Sequence, residues 1–256
     1  MTDDDRKYVP MHIKQYLDFI KMSGVYLGDV NRGEIEIVTN PATIIEIEEL
    51  HKHNHFNFNG LVGQTTSWKS GIIVMDKYFA FLRDPVLFPG KTVTTGLYDR
   101  LVYINGLHGS VGVAVLPVCD GKAIMSLVFR HATRKWCVEI PGTISVDGES
   151  VEDSVKRCVL NELGVGTEIG SITKVGDIIS ERGILGNEVP IFAVEVKVIS
   201  GQVRDTVTTG TTELSYSRYL EFRRAGSLVH GGRSYVCKDA YTDTAMMLAH
   251  AAGIIE

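Results

Sequence analysis

The chain has 256 residues, of which 44% are hydrophobic and 22% are charged, and these proportions are ordinary for a folded globular protein. Its length suits one large domain or two small ones with a substantial apolar core. The formal net charge of -5 argues against a nucleic-acid-binding surface, because such a surface is usually basic.

The four cysteines show no Cys-x-x-Cys spacing, which favours reduced thiols in a cytoplasmic protein. The first residues are acidic and lack an apolar segment, so no signal peptide is predicted. No apolar run reaches the ~18 residues that a membrane-spanning helix needs. We therefore expect neither a membrane nor a nucleic acid as a partner.

Residues 1–69 predict an N-terminal α/β accessory segment. Apolar residues at helical spacing predict a helix over 11–23, and alternation predicts a strand over 34–38. Asn40-Pro41 begins a second helix, because proline is favoured at the first helical position.

From residue 70 onward, apolar β-branched runs separated by turn residues predict strands. These runs are 72–75, 78–82, 111–118, 123–129, 136–140, 171–179 and 189–198. Ser150 is the predicted N-cap of a helix over 151–163, and Gly164 stands at the C-terminal end of that helix. A last helix is predicted over 238–252. Mixed sheets with few helices indicate an α+β fold.

A motif of fixed spacing surrounds the helix 151–163. The spacing is that of a known motif, which reads Gly, five residues, Glu, seven residues, Arg-Glu, an aliphatic residue, any residue, Glu-Glu, any residue, Gly and an aliphatic residue. The residues that keep it are Glu149, Arg157, Val159, Glu162, Gly164 and Val165. The stretch resembles a Nudix box, which holds divalent metal against a diphosphate. Three positions depart from it, because Thr143 replaces the first Gly, and Cys158 and Asn161 each replace a Glu.

Further segments resemble ADP-ribose pyrophosphatase-type Nudix proteins. They are Leu82-Arg83-Asp84-Pro85-Val86, Tyr98-Asp99-Arg100, 127–132, Trp136-Cys137-Val138-Glu139-Ile140-Pro141, 183–189 and the terminal helix. The resemblance implies a Nudix fold over residues 70–256, with mixed β-sheets sandwiched between helices, and leaves 1–69 as an accessory segment.

The same resemblance implies a set of site residues. Glu162, Glu149 and Glu213 are the implied catalytic groups, and Mg²⁺ or Mn²⁺ is implied on Glu162, Glu149 and the backbone carbonyl of Gly142. The implied substrate-binding residues are Arg130, Glu139 and Arg100. The implied ligand is a nucleoside diphosphate sugar such as ADP-ribose, and the implied assembly is a homodimer.

The replaced acids weaken the metal-binding face. Residues four apart on a helix share a face, so positions 158 and 162 point at the same volume. A thiol is a soft ligand that suits Mg²⁺ poorly, and Asn161 offers only an uncharged amide oxygen. The negative charge on this face falls from about three units to about one. We expect a loss of roughly a hundredfold or more in turnover.

Several residues keep two interpretations at this stage. Glu213 stands in a predicted late loop, either as the acid that handles the attacking water or as a solvated side chain. Arg130 either contacts phosphate or is an exposed charge at a strand end. Arg157 is expected to pair with a carboxylate beneath the loop.

Three weaker patterns favour structural interpretations. The histidines His51, His53 and His55 suit a helix-exit loop better than a metal site. Cys158 has no sequence-evident His partner and is expected to be an inert thiol rather than a nucleophile. The glycine-containing stretch 106–112 lacks the context of a phosphate-binding loop, so a turn before the next strand is expected.

Two functions stay open. The first is a Mg²⁺-dependent pyrophosphatase that cleaves a nucleoside diphosphate sugar. The second is a Nudix-fold protein that binds such a ligand in a sensing or regulatory role without hydrolysing it. Hydrolysis of an unrelated substrate is a third and weaker alternative.

Overall fold

A computed structural model describes residues 9–52, 68–104, 112–146, 148–197 and 208–256. The chain divides into two compact units. Unit 1 takes in Met1–Leu107 and Glu181–Gly186, and unit 2 takes in His108–Ser180 and Asn187–Glu256. The predicted turn 106–112, except Gly112, and the histidines His53 and His55 lie outside the described residues.

Unit 1 combines helices with one four-stranded sheet in its described part. Its main elements are α1 (Met11–Ser23), α2 (Pro41–Lys52), β1 (Glu36–Ile37), β2 (Gly71–Met75), β3 (Phe79–Phe88) and β4 (Thr94–Tyr103). β3 pairs antiparallel with β4 along its whole length and with β1 and β2 at its two ends. The helices bury Ile13, Tyr16, Ile44 and Ile47 in one apolar cluster. Burial of these four side chains is a main source of the unit's stability.

The predicted domain boundary between residues 69 and 70 lies inside unit 1. β1 and β2 lie on either side of that boundary, yet both pair with β3. The segments before and after the boundary therefore share one sheet. The boundary remains a prediction about where the family resemblance begins.

Unit 2 is built on a seven-stranded mixed sheet in its described part. Its elements are β5 (Val113–Cys119), β6 (Lys122–Arg130), β7 (Lys135–Glu139), β8 (Gly142–Thr143), α3 (Val151–Leu163), β9 (Glu168–Ile178), β10 (Val189–Lys197), β11 (Thr208–Leu214), α4 (Tyr216–Ala225), β12 (Leu228–His230), β13 (Arg233–Tyr235) and α5 (Ala240–Ala251). The main strand order is β11-β6-β5-β10-β9, with β7 beside β6 and β8 beside β5. β10 is parallel to β5, and the other pairs in this sheet are antiparallel.

Helices cover both faces of this sheet. On one face, Val113, Val115 and Ile124 pack with α3. On the other, a second cluster combines sheet residues such as Leu116 and Met125 with α4 and α5. The alternation of side chains along each strand produces the two cores. The result is a three-layer arrangement in which α3 and the strand residues facing it are placed to form a site.

The strongest sequence patterns are confirmed. The helix 151–163 has its predicted bounds, and Ser150 caps it by accepting a hydrogen bond from the backbone N–H of Asp153. Gly164 ends the helix with φ +111°, a value that favours glycine. The sequence patterns did not predict β4, β11 or α4. Among the described residues, no helix is long and apolar enough to cross a membrane.

Candidate functional site

A clamp holds the loop that leads into α3. The Arg157 guanidinium donates to both carboxylate oxygens of Glu149 at 2.7 Å. It also donates to Thr143 Oγ1 at 2.9 Å and to the carbonyl of Ile144 at 3.0 Å. The same carboxylate accepts from Ser154 Oγ at 2.7 Å. The predicted pairing of Arg157 with a carboxylate beneath the loop is therefore present.

The clamp is charged on both sides. The hydrogen bonds from Arg157 lower the pKa of Glu149 to about 2, and bonds from Ser154 and the backbone N–H of Val146 act in the same direction. The Glu149 side chain is largely buried. Since its oxygens already accept several donors, the structure gives this residue a loop-holding role. Its predicted parts in catalysis and metal binding remain predictions.

Glu162 lies at the other end of α3, on the helix face that meets the sheet. It is 8% exposed, and its Oε2 accepts from Ser126 Oγ at 2.8 Å and from Thr208 Oγ1 at 2.7 Å. Ser126 comes from β6 and Thr208 from β11. Three separate elements therefore fix the position of this carboxylate.

The two replaced acid positions differ in their surroundings. Cys158 is 2% exposed and belongs to the apolar cluster that includes Val155 and Val159. Asn161 is half-buried. Position 158 shares the inner helix face with Glu162, as predicted, but it points into the core rather than into an open volume. The expectation of an inert, buried thiol agrees with this placement.

Glu213 lies in β11, so its predicted position in a loop is wrong. β11 pairs with β6, and Glu213 stands opposite Ile124 while Thr211 stands opposite Ser126. Residues directly opposite in neighbouring strands face the same side of a sheet. Glu213 is exposed and faces the α3 side. The physical reason for the error is a long-range strand pairing that local sequence does not reveal.

Glu162 and Glu213 line one cavity, whose volume is about 540 Å³. All of its described lining residues belong to unit 2. They are Ile124, Glu162, Leu163, Thr208, Thr209, Gly210, Thr211, Thr212, Glu213 and His230. None of these described lining residues is a lysine or an arginine. The wall is thus acidic and rich in hydroxyl groups.

Arg130, at the end of β6, forms an ion pair with Glu139, which stands opposite Ser126 in β7. The Arg130 side chain is 55% exposed, whereas that of Glu139 is 8% exposed. Burial raises the pKa of Glu139, and the hydrogen bond from Arg130 opposes that rise without cancelling it. The guanidinium is therefore both ion-paired and partly exposed to solvent. The predicted substrate contacts of both residues remain predictions.

Arg100 belongs to unit 1 and has a buried partner there. Its guanidinium pairs with Asp84, which is almost completely buried. Tyr16 donates its hydroxyl to the same carboxylate at 2.6 Å. These contacts give Arg100 a structural role in unit 1, and its predicted contact with substrate remains a prediction.

The residues present do not fit the predicted Mg²⁺ site. The metal prefers several hard oxygen ligands in a tight octahedron. The Glu149 carboxylate is held by Arg157, position 158 carries a buried thiol, and Gly142, in the short strand β8, offers only a carbonyl. Among the described residues, no three His, Cys, Asp or Glu side chains come together as a group that holds a metal ion.

Sequence reasoning missed three residues at or beside the cavity. Ser126 and Thr208 hold Glu162, and His230 lies on the wall. Ser126 carries a faint signal, since it is the polar residue in the otherwise apolar run Ala123–Phe129. Such a residue in a buried strand needs a hydrogen-bond partner.

Comparison with known proteins identifies the fold. A crystal structure of an ADP compounds hydrolase matches with a TM-score of 0.56 and 12% sequence identity, covering 72% of this chain and 91% of that chain. No family model matches the chain, and no curated protein matches its sequence. The α+β Nudix fold predicted from sequence is thus confirmed at the level of the fold.

Proposed function

We propose that this protein binds a nucleoside diphosphate compound such as ADP-ribose on the α3 side of the unit 2 sheet, and hydrolyses it slowly at most. Support for the ligand class comes from the fold shared with an ADP compounds hydrolase. The observation that carries the proposal is that Glu162 and Glu213 line one cavity at the C-terminal end of α3, the helix whose entering loop Arg157 clamps.

The proposed ligand extends along β6. Alternate residues of a strand share one face, so Ser126 and Arg130 both lie on the α3 side, with Cα atoms about 13 Å apart, or four residues at roughly 3.3 Å each. The Arg130 guanidinium pairs with Glu139, the residue opposite Ser126, so its charged end is turned back toward Ser126. A guanidinium grips phosphate oxygens with two parallel hydrogen bonds. We therefore assign the diphosphate to the Arg130 guanidinium, and the cavity is left for another part of the ligand.

Slow hydrolysis follows from the two replaced acids. Cys158 and Asn161 suit Mg²⁺ or Mn²⁺ poorly, because a thiol and an amide replace hard anionic ligands. The alternative function is an active hydrolase, and the cavity that Glu162 and Glu213 share favours it. Glu213 would orient the attacking water, while Glu162 is held by Ser126 and Thr208.

Calorimetric titration with ADP-ribose tests binding, and AMP release in the same samples tests hydrolysis. We expect saturable binding and an affinity about tenfold lower in Arg130→Ala, since a charged hydrogen-bonding partner of phosphate is removed. Arg218→Ala is the matched control, because Arg218 is exposed on α4 and pairs only locally with Glu221. Absence of any binding in the presence and absence of Mn²⁺ would overturn the proposal. Rapid AMP release by the unaltered protein would favour an active hydrolase.

The predicted homodimer and the predicted cytoplasmic location form part of the same proposal. The resemblance to ADP-ribose pyrophosphatase-type proteins implies the dimer, and the cysteine spacing together with the lack of a predicted signal peptide favours the location. Light scattering coupled to size-exclusion chromatography tests the dimer, for which the expected mass is twice the 28.2 kDa of one chain.

A further inference from the structure

The cavity beside α3 has a chemistry that suits neutral groups better than phosphate. It carries the carboxylates of Glu162 and Glu213 and, among its described lining residues, no lysine or arginine. A phosphate group in this space would approach two carboxylates, and like charges repel more strongly where water is partly excluded. The charged part of a ligand is therefore disfavoured here.

The carboxylate of Glu162 already accepts hydroxyl groups. Its Oε2 takes hydrogen bonds from Ser126 and Thr208. A carboxylate is an acceptor with several lone-pair sites, so neighbouring hydroxyl groups of a ligand are natural partners for such a wall. Ile124 and Leu163 add apolar surface to the same cavity, which suits the C–H groups of a sugar ring.

The backbone of β11 adds further polar groups. β11 is an edge strand of the unit 2 sheet in the described part of the chain, where it pairs with β6 on one side. The outer side of an edge strand presents N–H and C=O groups to whatever lies beside it. Since residues 208–213 line the cavity, this edge offers both donors and acceptors to sugar hydroxyls.

We infer that the cavity binds the uncharged sugar end of the ligand, a ring with adjacent hydroxyl groups, and that Glu213 determines this specificity. The inference rests on the proposed function and adds the orientation of the ligand, with its sugar at Glu213 and its diphosphate toward Arg130. Glu213 is the exposed acid of the wall, so its carboxylate is open to a ligand.

The test compares ADP-ribose with ADP, which lacks the second sugar, by calorimetric titration in EDTA. We expect the unaltered protein to bind ADP-ribose about tenfold more tightly than ADP. Glu213→Gln should narrow this preference to about twofold or less, because it loses a charged acceptor for hydroxyls and also removes a charge that repels phosphate. Glu168→Gln is the matched control, since Glu168 is an exposed strand acid outside the cavity lining, and it should keep the full preference.

The other outcomes separate the two claims. If neither ligand binds, the proposed function fails and the sugar subsite fails with it. If both ligands bind equally well, or if Glu213→Gln keeps the preference, the proposed function stands and the subsite is wrong. A preference that requires Mn²⁺ and disappears in EDTA would overturn the subsite in favour of a metal site on the same carboxylates.

Discussion

The two ends of α3 differ in how they use charge. At the N-terminal end, Glu149 and Arg157 form a charged clamp that ties the entering loop to the helix. At the C-terminal end, Glu162 is held by two neutral hydroxyl groups, and the neighbouring box positions carry Cys158 and Asn161. The clamp needs no metal, because its partners are all protein groups.

This difference separates the shape of the motif from its chemistry. A loop–helix–loop persists when the residues that hold it, such as Glu149 and Arg157, are kept, and positions 158 and 161 do not belong to that clamp. The substitutions at 158 and 161 therefore change the expected activity without changing the expected fold. Four substitutions test this difference between the two ends of α3.

The largest effect is expected from Cys158→Glu. Position 158 lies in the apolar core beside α3, so a carboxylate there is moved from water into largely apolar surroundings. We expect the free energy of unfolding to fall by about 3 kcal/mol in denaturant titrations. Asn161→Glu at the half-buried neighbouring position should change it by under about 1 kcal/mol. An unchanged stability for Cys158→Glu, together with faster AMP release, would show that position 158 faces the site.

The next effect concerns the clamp. Arg157→Ala removes the hydrogen bonds to Glu149, Thr143 and the carbonyl of Ile144. Hydrogen bonds to charged groups contribute about 1.5–3 kcal/mol, so we expect a loss of about 2 kcal/mol in the free energy of unfolding. Arg224→Ala, at an exposed position in the last turn of α4, should cost about 0.5 kcal/mol or less. Equal costs for the two variants would contradict the clamp.

A smaller effect is expected at the other end of the helix. Ser126→Ala removes one of the hydroxyl groups that hold Glu162, and the free energy of unfolding should fall by about 1 kcal/mol. Ser171→Ala is the control, because Ser171 is exposed and its hydroxyl also donates to a glutamate, Glu195. A result in which only the control is destabilised would argue against the described contact.

The fourth expected effect is a change in acid sensitivity. The clamp lowers the pKa of Glu149 from 4.5 to about 2, so the charged carboxylate stabilises the folded state above about pH 4.5, and this contribution is lost as the pH falls toward 2. Glu149→Gln has no such charge. Between about pH 5 and about pH 3 the unaltered protein should therefore lose more stability than the variant. Parallel stability profiles over that range would contradict the pKa shift.

Local patterns predicted the parts of the fold that local interactions define. The helix 151–163 is recognisable because Ser150 caps it and apolar residues recur on one face. The helix α4, which the prediction missed, carries similar signals, namely Ser215 at its N-cap and Gly226 after its last turn. Its many charged residues conceal the buried pair Tyr219 and Phe222.

Long-range pairing set the limit for the site. The motif spacing located Glu149, Arg157 and Glu162, because all three belong to one loop and helix. It could not bring Thr208 or Glu213 to Glu162, since β11 pairs with residues about eighty positions earlier in the chain. The motif spacing places residues 158 and 162 on the same helix face. It does not show that position 158 is buried in the core.

The proposal that this protein binds ADP-ribose but hydrolyses it slowly at most is tested by one experiment. AMP release from ADP-ribose is measured together with ligand binding, in the same samples and with Mn²⁺. Enzymes typically turn over at about 1 s⁻¹ or faster, and the loss of two acids costs about a hundredfold or more. We expect saturable binding with AMP release below about 0.01 s⁻¹. Turnover at about 1 s⁻¹ by the unaltered protein would contradict the proposal.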